Sequence, residues 1–374
     1  MARLASVGPV IRDLSDEEAR AALPLKWGEV GPGVIPAWVA EMDYAVAPVV
    51  LDAVADAVRR GVTGYPPFGD LGLATAFAGF AQRHWDWAVD PATSVVVSDV
   101  VGGLQLVLEA LAPPGPVVVP LPCYPPFLAV TALVGREAVT VPSLDLAAVE
   151  TAFAAGARTI LLCNPHNPLG TVPTRAELGA LRDLAAAYGA LVVSDEIHGP
   201  LTLPGATFTP YATVDPDAVV VTSHSKTFGT AGLHCAQVLT PDHERLRAVP
   251  HVQNKGYSPL GIIAGVAAWT RADDWLAALV TRLDQQRSLL TALLAEHLPQ
   301  ARMSPLAATY LAWLDLTAYG VADPAAAALQ HGVRLGPGHD YHPGLDGHAR
   351  LNLATSPERL SEIVSRLTRA LATG

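Results

Sequence analysis

The stretch Ala218-Val219-Val220-Val221-Thr222-Ser223-His224-Ser225-Lys226-Thr227-Phe228 decides how the rest of the chain is read. An apolar run of this kind reads as a buried strand. A lysine just beyond its end sits in a mostly apolar site. Desolvation there lowers the amine pKa and frees it to attack carbonyls. The hydroxyls of Ser223, Ser225 and Thr227 are placed to bind an anionic group beside it. Two upstream segments repeat the arrangement. Ala190-Leu191-Val192-Val193 runs into Ser194-Asp195-Glu196-Ile197-His198, and Thr159-Ile160-Leu161-Leu162-Cys163 runs into Asn164-Pro165-His166-Asn167-Pro168-Leu169-Gly170. Three strand ends thus carry, in order, an amide, a carboxylate and a lysine. Pyridoxal phosphate (PLP) needs such a set: a lysine to attach its aldehyde and a carboxylate to pair with its ring nitrogen.

The pattern around these ends is α/β. Strand candidates at Ser94–Val97, Val117–Val119, Ala138–Val141, Thr159–Cys163, Ala190–Val193, Ala218–Val221 and Cys235–Leu239 alternate with amphipathic segments at Asp70–Trp85, Gly103–Leu111 and Arg175–Tyr188. Fully apolar strands alternating with helices predict a mostly parallel sheet covered on both faces. Thr174 and Glu177 have the spacing of a capping box, which satisfies the first backbone donors of a helix. After about His251 the pattern changes to a long helix over Trp275–His297, strands at Leu311–Leu316 and Arg350–Ala354, and a last helix opened by Thr355 and Glu358. This predicts a smaller α+β domain.

Composition limits the alternatives. The chain has 374 residues, enough for two domains, with 51% hydrophobic and 16% charged residues, which supports a large core. A net charge of −11 argues against nucleic acid, which needs clustered Lys and Arg. Residues 1–20 carry Asp13, Asp16, Glu17 and Glu18 and lack an apolar core, so they do not read as a secretory signal. No stretch is apolar enough to span a bilayer. Cys123, Cys163 and Cys235 are an odd set without close spacing and read as buried, reduced thiols of a cytoplasmic protein. The His339-Asp340-Tyr341-His342 run with Asp346 and His348 has zinc-type ligands at no standard spacing, so a Gly/Pro-rich flap is favoured over a metal site. His224 between two serines lacks a strand–turn–helix elbow, which argues against a hydrolase triad.

The chain resembles fold-type I PLP enzymes, the aspartate aminotransferase superfamily, and within it the MalY/PatB group of cystathionine β-lyases and cysteine-S-conjugate β-lyases. The resemblance rests on Trp38-Val39-Ala40-Glu41-Met42-Asp43-Tyr44, Tyr124-Pro125-Pro126-Phe127, Ser194-Asp195-Glu196-Ile197-His198, Ser225-Lys226-Thr227-Phe228 and Thr309-Tyr310-Leu311-Ala312-Trp313-Leu314-Asp315. It runs from about Trp27 to the C-terminus. It implies a large PLP-binding domain over residues 46–250 and a small domain built from 1–45 and 251–374.

The resemblance also implies roles. Lys226 would carry the cofactor and Asp195 would face its ring nitrogen. Asn167 and His198 would face its 3-oxygen, His198 standing where classical aminotransferases have a tyrosine. Tyr124 would stack on the ring. Val100 and Val101, at the helix start after Asp99, would cradle the phosphate with Ser223 and Ser225. Tyr65 would reach the phosphate of a neighbouring subunit in a homodimer. His234 stands where relatives often have a phosphate-binding arginine. Arg350 would hold the substrate α-carboxylate, with Ala40 and Tyr310 beside the substrate. The flap at 339–348 departs from the common Phe-Gly pattern and is a candidate for setting specificity. The implied activity is carbon–sulfur β-elimination on a cysteine conjugate. The alternatives are an aminotransferase, a lyase recruited to biosynthesis with a bulky conjugate, and a protein with an added regulatory binding role.

Overall fold

A computed structural model describes residues 11–66, 70–250, 254 and 256–372. Residues 1–10 of the acidic N-terminal stretch lie outside it, as does His251, where the second domain was expected to begin. Twelve strands form two sheets among the described residues: β1 (Ile35–Ala37), β2 (Ser94–Val97), β3 (Val117–Leu121), β4 (Ala138–Pro142), β5 (Thr159–Cys163), β6 (Leu191–Asp195), β7 (Val219–Thr222), β8 (Ala236–Leu239), β9 (Arg302–Met303), β10 (Leu311–Asp315), β11 (Val333–Pro337) and β12 (His348–Asn352). The seven-stranded sheet has the order β2-β8-β7-β6-β5-β3-β4. All its pairings are parallel except those of β8, which runs antiparallel to both neighbours. Strands β2, β3, β5 and β7 are buried on both faces, which is why they read as continuous apolar runs rather than alternating ones, whereas the edge strand β4 is largely open to solvent. Cores of buried apolar side chains lie on either side of it.

The parallel register brings the C-terminal ends of β5, β6 and β7 together, with Cys163 opposite Asp195 and Asp195 opposite Val221. Residues that follow these strands therefore meet at one edge, where open α/β sheets bind ligands. The helix Val100–Ala110 points its N-terminus at this edge, and Asp99 caps it by accepting from the Gly102 N–H at 2.8 Å. Gly103 has a packing reason. A Cβ there would lie 3.1–3.2 Å from Val97, Val221 and Val238, so the glycine lets the helix sit close on the sheet.

The five-stranded sheet has the order β1-β11-β12-β10-β9. β1, unassigned from sequence because it is short and contains Pro36, pairs in parallel with β11. Thus the segment before residue 45 joins the C-terminal sheet. The helix Pro259–Arg271 lies beyond the expected boundary at 250/251, and it packs against the helices Pro48–Arg59 and Leu73–Trp85.

Boundaries moved for identifiable reasons. The first amphipathic helix begins at Leu73 instead of Asp70, because Gly72 adopts φ 87° and marks its start. The last helix runs Pro357–Leu371 and is capped by Ser356, not Thr355. Pro357 occupies the first helical position, where a missing N–H costs nothing, and this makes its predecessor the cap. Thr355 Oγ1 instead accepts from Arg359 at 2.9 Å. The Thr174–Glu177 capping box forms as expected. Among the described residues no helix is long and apolar enough to cross a membrane.

Candidate active site

A cavity of about 210 Å³ lies at the strand-end edge. It is lined by Ala40, Val100, Val101, Tyr124, Asn167, Asp195, His198, Ser223, Ser225 and Lys226, together with Asp99, Cys163, Ile197, Ala231 and Cys235. The first ten were singled out by the sequence; the other five were not. Asp99 is visible as an N-cap but not as a cavity wall. The rest are apolar or weakly polar side chains; Ile197 lies within a quoted motif, but nothing in its type marks it as a wall residue.

Lys226 is in the one-turn helix Ser225–Phe228, which ends at Gly229 with φ 67°. Its Nζ donates to the Ala40 carbonyl at 3.2 Å. Burial lowers its pKa; Glu41 and Asp195 pull it up and Arg350 pulls it down. A lysine desolvated in this way has a larger neutral fraction than an exposed one, which an amine nucleophile or base requires. Asp195 ends β6, and its Oδ1 accepts from the Ile197 N–H at 3.1 Å. Burial pushes Asp195 up to about 7, against the Ile197 N–H and Lys226, which hold it down. A cation placed against this carboxylate would lower that value. His198 is buried, its Nδ1 has no hydrogen-bond partner, and burial with the Lys226 and Arg350 charges holds its pKa down at about 3. It therefore faces the cavity as neutral imidazole, a group able to donate to an oxygen without adding charge.

A buried guanidinium comes from the other sheet. Arg350 in β12 donates through one terminal nitrogen to Asn167 Oδ1 at 2.9 Å and through the other to the Trp38 carbonyl at 2.7 Å. Its guanidinium lies 4.9 Å over the Tyr341 ring, and its buried Nε has no partner. A guanidinium held this rigidly suits bidentate carboxylate binding. Tyr310, fully buried, donates from its hydroxyl to the Ala40 carbonyl at 2.9 Å. The Tyr341 carbonyl accepts from the Cys123 N–H at 3.1 Å, which ties the flap to the large sheet's edge. In that flap His339 lies 3.5 Å from Asp346, and the His348 ring stacks on Trp313.

Four expected residues fall outside the lining: Arg350 and Tyr310, which bond to the lining residues Asn167 and Ala40, and two that stand further apart. Tyr65 is fully exposed and does not line the cavity. His234, in a left-handed conformation with φ 46°, lies outside the lining, and its Nδ1 is 3.9 Å from Asp99 Oδ2. The Ser223 hydroxyl donates to the Cys235 carbonyl at 2.7 Å while its oxygen accepts from the Ser225 N–H. The proton of that hydroxyl is therefore committed within the protein.

The residues fit PLP. Helix-start backbone donors at Val100 and Val101 and the Ser225 hydroxyl form an anion cradle at one end of the cavity. A buried carboxylate and a buried imidazole line it, and the amine of Lys226 reaches it. These are the groups that phosphate, ring nitrogen, ring oxygen and aldehyde require.

Comparison with known proteins agrees. Residues 39–367 match the family model for class I and II aminotransferases. A cystathionine β-lyase of Corynebacterium glutamicum is 37% identical, over 95% of this chain and 98% of its own length. Cystathionine β-lyase PatB of Bacillus subtilis is 33% identical, over 95% and 98%. A crystal structure from Corynebacterium diphtheriae, assigned as a PLP-dependent β-cystathionase, superposes with a TM-score of 0.93 at 36% identity, covering 97% of this chain and 99% of that one. The family model matched over residues 39–367 and relatives matched nearly end to end, with the lysine, the buried carboxylate and the cross-sheet arginine in place, show that this chain belongs to the PLP-dependent class I and II aminotransferase family.

Proposed function

We propose that the protein is a PLP-dependent carbon–sulfur β-lyase that cleaves cystathionine or a related cysteine S-conjugate to a thiol, pyruvate and ammonia. One observation carries the reading. Lys226, Asp195, Asn167 and Arg350 converge on one buried site in a chain that matches a C. glutamicum cystathionine β-lyase nearly end to end.

In this reading residues 46–250 carry the cofactor, and residues 1–45 and 251–374 supply the substrate's carboxylate site. PLP, when bound, supplies a sink for the electron pair left at the substrate α-carbon. Arg350 holds the α-carboxylate through its fork and orients the α-hydrogen toward the Lys226 amine, which removes it. With the cofactor bound, Asp195 would supply negative charge to the ring nitrogen, Asn167 and His198 would offer donors to the ring oxygen, Tyr124 would pack on the ring, and Val100, Val101, Ser223 and Ser225 would hold the phosphate. The leaving sulfur departs as thiolate with little acid help, because thiol pKa values are far below those of alcohols. Ala40 and Tyr310 border the substrate, and the 339–348 flap borders its side chain.

A homodimer belongs to the same proposal. Full exposure of Tyr65 leaves its hydroxyl free for a neighbour's phosphate site, and His234 near Asp99 stands where a phosphate arginine is common. Three free, buried thiols support a reducing, cytoplasmic setting.

A paired assay tests the reading. PLP-loaded protein is given L-cystathionine or an S-alkyl cysteine and monitored for thiol and pyruvate. In parallel it is given amino acids with 2-oxoglutarate and monitored for glutamate. Thiol and pyruvate with no keto-acid requirement are expected. Glutamate without thiol would make the protein an aminotransferase and overturn the proposal.

A further inference from the structure

The backbone carbonyls of residues 38–41 are all engaged. Trp38 O accepts from Arg350 and Val39 O from Asn352; Ala40 O accepts from Tyr310 and Lys226, and Glu41 O from Lys26 and Asn352. This fixes the Glu41 backbone beside the Lys226 amine. The Glu41 side chain is left over. Its Oε2 is buried without a hydrogen-bond partner, and Glu41 forms no ion pair among the described residues. Lys26, the other buried amine nearby, has its own counter-ion in Asp43 at 2.8 Å. Meanwhile Lys226 Nζ makes one hydrogen bond, to a neutral carbonyl, although an ammonium has three donors.

We propose that Glu41 is the counter-charge of Lys226, a positioning residue that favours the protonated form of its Nζ against the desolvation that favours the neutral one, and leaves Asp195 free to face the cofactor ring. The inference rests on the assignment of Lys226 as the cofactor-bearing lysine and deepens it. The charged and titratable groups facing Nζ are Glu41 from the segment after β1, Asp195 and His198 from the end of β6, Arg350 from β12, and the phenols Tyr124 and Tyr310. His198 is neutral above about pH 3, and burial pushes Tyr124 up to about 12 and Tyr310 higher still. That leaves two carboxyl groups and one guanidinium. Of these, Glu41 belongs to the segment whose Ala40 carbonyl accepts from Nζ, and Glu41 and Asp195 raise the Lys226 pKa where Arg350 lowers it. Neither Glu41 nor its carboxylate is part of the cavity wall, so its influence is electrostatic rather than contact with substrate.

The experiment is a pH titration of the visible absorption of PLP-loaded protein, which reports protonation of the nitrogen contributed by Lys226. In Glu41→Gln the midpoint is expected to fall by about one pH unit, the size of shift that loss of one nearby opposite charge produces. Glu41→Asp, with the charge on a shorter arm, is expected to move it less in the same direction. An unchanged midpoint in Glu41→Gln overturns the proposal. If Glu41→Gln does not accumulate as folded protein, Glu41→Asp decides: an unmoved midpoint there, or an upward one, overturns it. Failure of the underlying assignment looks different, because Lys226→Ala would then retain the visible band.

Discussion

The ends of β5, β6 and β7 and the segment Trp38–Tyr44 both build the site, but by opposite means. The strand ends contribute side chains: Asn167, Asp195, His198 and Lys226 reach the cavity directly. The Trp38–Tyr44 segment contributes mainly main-chain carbonyls, which accept from Arg350, Asn352, Tyr310, Lys26 and Lys226. Behind the carbonyls stands a buried lattice. Lys26 pairs with Asp43 at 2.8 Å, the Trp27 indole N–H donates to the same carboxylate at 2.8 Å, and Arg359 approaches it at 3.4 Å. One region does chemistry through residue identity. The other sets where a cross-sheet arginine and a lysine can point. Substitutions in the first should therefore remove reactivity, and substitutions in the second should loosen substrate binding or stability while the cofactor stays attached.

The largest effect belongs to Lys226. Lys226→Ala should abolish both the visible absorption of bound PLP after removal of free cofactor and all β-elimination. Persistence of that band would move the attachment point elsewhere. Next is Arg350, which bridges the two regions. Arg350→Ala removes the fork and leaves Asn167 Oδ1 and the Trp38 carbonyl without their donor. Substrate affinity should weaken by roughly 2–5 kcal/mol, as for truncation of one partner of a buried charge pair. The visible band should remain. KM or a Kd for an unreactive amino acid measures this, and unchanged values would place the carboxylate site off Arg350.

A smaller effect tests the support lattice alone. Lys26→Met leaves Asp43 buried with Arg359 and Trp27 as its remaining partners. Removing one member of a buried ion pair costs about 3–5 kcal/mol of stability, and the two remaining donors put the expectation at the lower end. Denaturant unfolding measures that cost. The same variant should raise KM through a looser Trp38–Glu41 segment with the visible band intact. A variant as stable as wild type with normal KM would show that the segment holds its position without Lys26.

The same contrast explains what was legible in the sequence. Lys226, Asp195 and Asn167 follow apolar strands and carry side-chain chemistry, so their types and positions reveal them. The fold class follows from the same runs, because strands buried on both faces need no alternation. The role of Trp38–Glu41 was legible only as a family likeness. A carbonyl is present at every residue, and nothing in the letters says which ones will accept. β1 was invisible because three residues containing a proline carry no period. Cys163, Ile197, Ala231 and Cys235 reach the cavity only through the register of neighbouring strands and turns, a long-range property. Thr355 was displaced as a cap by the residue one step later, where Pro357 decides the helix start.

The smallest effect concerns Glu196, next to Asp195 but facing away from the cavity. Its Oε1 accepts from the Tyr211 N–H at 2.7 Å, Ser194 at 3.0 Å and Asn164 at 3.3 Å, and its buried Oε2 has no partner. Burial pushes its pKa up to about 8 against those donors, from an ordinary 4.5. A folded-state pKa above the unfolded one means that the folded protein binds the extra proton. The resulting stability is fully present below about pH 4.5 and is lost as pH rises through about 8. Glu196→Gln keeps an acceptor for the three donors and has no proton to lose. Between pH 6 and 8, wild type should therefore lose stability relative to Glu196→Gln, by up to about 1.4 kcal/mol per pH unit. Paired denaturant titrations across that range measure the difference. Parallel pH dependence in the two proteins would mean that Glu196 is ionised in the fold, stabilised by its three donors. Asp195 would then stand beside a second fixed negative charge, which would push its own pKa further up.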